Sequence, residues 1–322
     1  MHVTVLVADQ CSLASASLAL EILDSANRFA FPGVPPFEVT VASLDGQDIA
    51  SLAGRKFKVD TSLANIQRTD LVVIPGFLFT LRDVLPALRK YSDWLKNQYA
   101  QGAFIASMCT ATFMLAEAGL LCGRQATTHW AFADLLRRMY PDVLVEEGRI
   151  LCEDDRLISS GGASAAMDLL LHVIRRFASL ALAHQCSRYL LIDNMRTEQS
   201  VYVLWSMPKQ HGDEAILRVQ NWVEERFDQP LNIDELAVHF GFGIRNFKRR
   251  FLNATGYSPL AYLQALRIER AKQLLETTRL SFDSITNQVG YEDSNSFRRM
   301  FKQSVGSSPM AFRKLFALRD QV

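Results

Sequence analysis

Apolar positions follow two regimes along this chain. Over residues 1–190, short apolar runs rich in β-branched side chains occur at Val3 to Ala8, Phe37 to Ala42, Leu71 to Ile74 and Phe104 to Ala106. Between them the apolar spacing turns helical, at Leu18 to Phe29, Leu81 to Gln98, Thr110 to Leu120 and Ala163 to Phe177. Runs with no polar alternation suit strands buried on both faces. Their alternation with helices predicts an α/β fold, a mostly parallel sheet sandwiched by helices. Residues 191–215, with Pro208 and Gly212, lose this periodicity and read as a linker. From 216 to 320 the pattern is helical throughout.

The helical part repeats itself. Leu231, Asp234, Leu236 and Gly241 recur 49 positions later as Leu280, Asp283, Ile285 and Gly290. Phe247, Phe251, Gly256 and Pro259 recur 50 positions later as Phe297, Phe301, Gly306 and Pro309. Self-similarity at a fixed period means one supersecondary unit used twice. Each copy reads as a helix ended by glycine, a tight turn and a second helix, over about 231–252 and 281–303. The stretch 259–277 between them is continuous helix. In each second helix the two phenylalanines lie four apart on one face. The other face carries Arg245, Asn246, Lys248 and Arg249 in the first copy, and Ser294, Asn295, Ser296, Arg298 and Arg299 in the second. Arginine and asparagine pair with purine edges, and hydroxyls and lysine with phosphate oxygens. These nine residues are the candidate DNA contacts. Two such helices read successive major grooves when they sit about one DNA turn apart, roughly 34 Å.

Charge sharpens that reading. The whole chain carries a formal +1, but residues 241–319 hold 14 Lys/Arg against 5 Asp/Glu, whereas residues 1–210 hold 19 against 21. A basic surface is therefore confined to the repeated part, as nucleic-acid binding requires. No run of 18 apolar residues suggests a membrane span, and the start lacks the basic-then-apolar pattern of a secretory signal. The five cysteines contain no CxxC pair and suit neither a disulfide framework nor a zinc site. A cytoplasmic protein with no metal and no cofactor is the expectation.

In the first part, Phe104 to Met108 runs straight into Cys109 and then into a helix. A thiol at such an elbow lies near a helix N-terminus, where partial positive charge favours thiolate. The alternative is a small buried core residue. Gly76 and the pair Gly161-Gly162 mark close backbone approach at strand ends, where parallel sheets form a ligand crevice and where free amides can hold a carboxylate. His129, Trp130, Phe77 and Phe79 are candidate walls.

Two resemblances cover nearly the whole chain. Residues 213–318, through Gly290-Tyr291, Ser296-Phe297-Arg298-Arg299, Phe301 and Gly306-Ser-Ser-Pro309, resemble the DNA-binding domain of AraC/XylS transcription regulators. Residues 1–185 resemble the DJ-1/PfpI superfamily, in the GlxA-like branch fused to such domains. The residues that carry this are Ile74-Pro-Gly-Phe77, Cys109-Thr110, Leu115-Ala-Glu-Ala-Gly-Leu-Leu121, Thr128-His-Trp130 and Gly161-Gly-Ala-Ser-Ala-Ala-Met-Asp168. The resemblance implies a flavodoxin-type sheet, dimerisation through the first domain and a small-molecule effector, including a nitrogen-containing one. It also implies contact with RNA polymerase and activation of transcription. Enzymatic members pair the elbow cysteine with an acid from the first strand-helix loop and often a histidine. Here Ser15 or Ala16 aligns with the acid, Asp9 is too early and Glu21 too late, and Thr110 follows the cysteine. The chain therefore reads as a sensor rather than an enzyme, with Ser15, Gly76, Phe77, Cys109, Thr110, His129, Trp130 and Gly162 as its ligand residues. The rivals are a Cys109-dependent hydrolase or hydratase, and a redox sensor that oxidises Cys109 to a sulfenic acid.

Overall fold

The computed structural model describes residues 1–317 except positions 31, 52, 78–80, 194–197, 204 and 206, so Phe79 lies outside the described residues. By internal contacts the chain divides into two units, Met1–Ser200 and Val201–Val322.

The first unit is built on strands β1 (His2–Leu6), β2 (Glu38–Ser43), β5 (Thr61–Ser62), β6 (Leu71–Ile74), β7 (Phe104–Met108), β10 (Leu151–Asp154) and β11 (Leu157–Ser160). They form one sheet in the order β10-β11-β7-β6-β1-β2-β5. Every pairing is parallel except that of β10 with β11, an antiparallel hairpin that closes one edge. Two short ladders, β3 (Ile49–Ala50) with β4 (Lys56–Phe57) and β8 (Gln125–Ala126) with β9 (Leu144–Val145), lie outside it. All four residues of β6 and of β11 are buried, as strands covered on both faces must be.

The helices are α1 (Leu13–Phe29), α2 (Leu81–Leu88), α3 (Ser92–Ala100), α4 (Thr112–Glu117), α5 (Ala133–Met139), α6 (Ala165–Phe177) and α7 (Leu180–Tyr189). Three differ from the pattern read in the sequence. Helix α1 starts five residues earlier than Leu18, because Ser12 caps it by accepting the Ser15 N–H at 3.3 Å. The stretch 81–98 is two helices joined by a 3-10 turn at Arg89–Tyr91, whose tighter winding brings Leu88 and Tyr91 to the same buried side. Helix α7 follows α6 at once, capped by Ser179, which accepts the Leu182 N–H at 3.1 Å.

The linker read over 191–215 is also shorter in the structure. Glu198 bridges Arg149 as an extra antiparallel rung, and Gln199 is buried in the first unit. Polar composition hid a segment that is held by backbone and amide hydrogen bonds rather than by apolar burial.

The second unit is all helical: α8 (Glu214–Glu225), α9 (Ile233–His239), α10 (Ile244–Thr255), α11 (Pro259–Thr277), α12 (Phe282–Gln288), α13 (Ser294–Val305) and α14 (Pro309–Phe316). Each repeat packs its own aromatic core. Phe247 and Phe251 meet Tyr262 in one cluster, and Phe297, Phe301 and Phe312 meet in the other. Helix α11 serves both: Tyr262, Leu263 and Leu266 face the first cluster, while Ile268, Ala271 and Leu275 face the second. Between the two sets sits Arg267, only 8% exposed. Its Nε donates to the Phe227 carbonyl at 2.7 Å and its Nη2 to that of Gln229 at 2.8 Å, while the guanidinium lies 4.9 Å from the Tyr291 ring centroid. Gly290 makes this possible. Its φ of +82° is left-handed, and a Cβ there would fall 2.5 Å from the Asp228 carbonyl oxygen.

Among the described residues, no helix is long and apolar enough to cross a membrane. Replacing Arg267 with methionine strands two carbonyls that a charged donor now satisfies. Arg267→Met is expected to lower the stability of the second unit by about 1.5–3 kcal/mol in urea denaturation. A loss under about 0.5 kcal/mol would show that the two repeats hold together without it.

Candidate functional site

The β7 strand ends at a backbone that few residues adopt. Cys109 has φ of +56°, the left-handed region that L side chains disfavour. Its carbonyl is what holds it there, accepting the Thr112 hydroxyl at 3.2 Å and the Thr128 hydroxyl at 3.0 Å. The one Thr112 proton is shared with the Thr127 carbonyl, the nearer acceptor at 2.8 Å. The loop after β6 closes on this elbow from the other side. A Cβ on Gly76 would lie 2.9 Å from the Cys109 Cβ and 2.9 Å from the Met108 carbonyl oxygen, so only glycine allows the approach. The Phe77 N–H donates to the Thr110 hydroxyl at 2.8 Å, and the Ser12 N–H to the Gly76 carbonyl at 2.7 Å. Gly76, Phe77, Cys109 and Thr110 are thus one buried knot at the C-terminal ends of β6 and β7. Ser15 lies one turn along α1, buried, with its hydroxyl 3.2 Å from that of Ser12.

His129, Trp130 and Gly162 form a second, more open group. The His129 ring packs over Gly162, its Cδ2 3.3 Å from where a Cβ would stand, and lies 5.3 Å from the Trp130 ring by centroids. Its Nδ1 accepts the Ala131 N–H at 3.1 Å, which leaves the proton of the neutral ring on Nε2. Burial pushes its pKa down, toward that neutral form.

Electrostatics at the elbow run opposite to the helix-terminus expectation. Cys109 is 1% exposed, and burial pushes its thiol up to about 12, outweighing the Thr110 N–H and hydroxyl that favour thiolate. Among the described residues, no carboxylate or imidazole acts on its charge. Asp9 is spent on the Ala50 N–H at 2.9 Å, and Glu21 is exposed on α1. A nucleophile with no base in reach stays a thiol. Among the described residues, no cluster of three His, Cys, Asp or Glu could hold a metal.

Sequence reasoning missed Gln199. It is 2% exposed; its Nε2 donates to the Thr128 carbonyl at 2.8 Å and the Thr127 hydroxyl at 3.2 Å. Its Oε1 accepts the Gly162 N–H at 3.2 Å, and its own N–H donates to the Gly148 carbonyl at 2.6 Å. The amide expected to wait for a ligand carboxylate is therefore already satisfied by a side chain. The signal was present in Gly161, whose Cβ would fall 2.5 Å from the Gln199 Oε1. The pair Gly161-Gly162 records a close approach, but by this chain's own glutamine.

In the second unit, α10 and α13 bury Phe247, Phe251, Phe297 and Phe301 and turn their polar faces outward. Arg245, Asn246, Lys248, Arg249, Asn295, Ser296, Arg298 and Arg299 are exposed, and Ser294 is half-buried. Lys248 pairs with Asp234 at 2.7 Å, the Arg249 Nη2 donates to Asn246 at 3.3 Å and Arg298 lies 5.3 Å from the Phe282 ring centroid. Arg250 is committed elsewhere, to both oxygens of Asp213 at 2.6 and 3.0 Å.

Residues 1–176 match the model of the DJ-1/PfpI family, and residues 236–315 match that of a helix-turn-helix domain. The HTH-type transcriptional regulator GbdR of Pseudomonas aeruginosa is 28% identical over 308 residues, 94% of this chain and 82% of that protein. The isonitrile hydratase of Pseudomonas putida is 28% identical over 152 residues, 47% of this chain and 64% of its own length. Among solved structures, that of an AraC family transcriptional regulator from Pseudomonas putida superposes with a TM-score of 0.51 at 25% identity, over 59% of this chain and 98% of that one. The chain is thus similar both to regulators and to an enzyme.

At pH 8, alkylation of Cys109 is expected to be on the order of a thousandfold slower than for an ordinary exposed thiol, from the thiolate fraction alone. Mass analysis of peptides after iodoacetamide checks this, with the exposed Cys122 as internal reference. Equal rates at the two cysteines would show that Cys109 is neither sealed from solvent nor held protonated, and a faster rate at Cys109 would reinstate an activated nucleophile.

Proposed function

Because the chain belongs to the DJ-1/PfpI family and ends in a helix-turn-helix domain of the AraC type, we propose that it is a DNA-binding transcription regulator whose first unit senses a small metabolite. The observation that carries this reading is the paired geometry of α10 and α13. Each helix buries a phenylalanine pair and presents Arg, Asn and Lys or Ser, and both cores close on the one helix α11. At 1.5 Å per residue that helix is about 28 Å long, close to the repeat of the DNA duplex. Arg245, Asn246, Lys248 and Arg249 would read one major groove, and Ser294, Asn295, Ser296, Arg298 and Arg299 the next.

In the first unit the buried knot of Gly76, Phe77, Cys109 and Thr110, with Ser15 behind it, shapes the strand ends. His129, Trp130 and Gly162 stand half-exposed beside it. A thiol with neither acid nor base beside it supports sensing over turnover. Effector binding acts by favouring one of two states of the protein, through its differential affinity for them. The reading extends to a homodimer formed through the first unit, and to activation through RNA polymerase.

Arg249→Ala and Arg299→Ala are each expected to weaken binding to sites enriched by in vitro selection by about 1–3 kcal/mol and to relax the sequence preference. Gel-shift titrations across salt concentration should show affinity falling steeply, as phosphate contacts release counterions. A salt-independent affinity, or two variants with unchanged sequence preference, would remove DNA as the ligand of this face.

A further inference from the structure

A cavity of about 460 Å³ opens in the first unit, between the start of β10, helices α6 and α7, and the rung at Glu198. Its size is that of a small-molecule site. Part of its lining is aliphatic, from Leu151, Leu171, Leu180 and Ala183. The rest of its lining includes both signs of charge, Arg149 and Arg175 with Glu198 and Asp168.

The placement of these charges is specific. Arg149 and Glu198 face each other across an antiparallel bridge, so their side chains leave the same face with Cβ atoms about 4.5–5.5 Å apart. Glu198 is half-buried, and among the described residues its carboxylate has no ion-pair or hydrogen-bond partner; the Arg149 guanidinium likewise has none. From the α6 wall, Arg175 donates through Nη2 to the His172 Nδ1 at 2.8 Å, while the His172 Nε2 lies 2.6 Å from Glu153. Both ring nitrogens of His172 are therefore used. The ring acts as a neutral brace for Arg175, whose remaining N–H groups have no hydrogen-bond partner among the described residues.

We propose that this cleft is the effector site, and that it takes a free α-amino acid or close relative with an aliphatic side chain. The carboxylate lies against Arg149 and Arg175, the ammonium against Glu198, and the aliphatic part over Leu171, Leu180 and Ala183. Adjacent, unpaired groups of opposite sign match a head group that carries both charges side by side. A simple carboxylate or a simple amine would leave one of them facing its own kind of solvent-exposed vacancy. The site also explains how occupancy is read. Glu198 is followed by Gln199, which clips the chain to Gly148, Thr127, Thr128 and Gly162 immediately before the second unit begins at Val201. A ligand on Glu198 tightens that clip.

The proposal rests on the effector-sensing reading, and its test separates the two. The full chain is dialysed against a mixture of the twenty proteinogenic amino acids, their N-acetyl derivatives and their carboxamides, and retained compounds are identified by native mass spectrometry. Retention of one or more aliphatic free amino acids is expected, with N-acetyl and carboxamide forms bound at least tenfold more weakly. Glu198→Gln and Arg149→Gln should each weaken retention at least tenfold, with unchanged melting temperature, while Arg55→Gln, just before β4, should not. No retained compound, equal retention of the blocked derivatives, or equal retention by the Glu198 and Arg149 variants would each overturn the site. Binding of the same preparations to selected DNA is measured alongside. If DNA binds and no amino acid is retained, the cleft proposal fails and the regulator reading stands; if DNA does not bind, the regulator reading itself fails.

Discussion

A Cβ on residue 76 would overlap both the Cys109 Cβ and the Met108 carbonyl, and that missing atom sets how closely the ends of β6 and β7 approach. The close approach excludes water from the thiol, and exclusion of water is what holds it protonated. It also fixes Cys109 in a left-handed backbone, with its carbonyl turned to the Thr112 and Thr128 hydroxyls. From Thr128 the order passes to Gln199, whose side chain fills the space that Gly161 leaves open. The strand-helix elbow is thereby linked by hydrogen bonds to the chain that leads out of the unit.

The second unit solves a different problem with similar means. Two small helical repeats each bury one cluster of aromatic side chains, and neither cluster is large. Helix α11 gives both a common wall, and Arg267 satisfies the carbonyls of the 227–229 turn while covering Tyr291 of the second repeat. A buried arginine is costly unless hydrogen-bonded, and here two carbonyls and a ring face meet it. The same arrangement leaves Arg245, Arg249 and Arg299 facing solvent without carboxylate partners among the described residues. Arg250 differs because Asp213, at the start of α8, claims it. A basic helix is therefore sorted residue by residue into positions that hold the fold and positions that face solvent.

Much of this architecture was legible in periodicity. The runs at Leu71 to Ile74 and Phe104 to Met108 are strands because apolar residues at consecutive positions need burial on both faces. The repeat at 49 and 50 positions marked the two helical units, because glycine and phenylalanine recur where backbone and core require them. The lack of an acid at Ser15 and of a histidine at Thr110 was likewise visible in the sequence. For the elbow thiol the sequence left two readings open, a helix-end thiolate and a buried core residue. Proximity to a helix end is visible in sequence, whereas the desolvation that overrides it depends on the Gly76 loop, which arrives from 33 residues away.

What the sequence determined by itself is the set of local preferences: which segments are strands and helices, where glycine permits a left-handed turn, and which helix faces are basic. Tertiary structure decided which polar groups are spent and which remain available. Gln199, Arg250 and Arg267 look like ordinary surface residues in the sequence, yet each is held by partners 37 or more positions distant. Hydrogen-bonding capacity is a property of the residue, but its satisfaction depends on long-range geometry that no local pattern encodes.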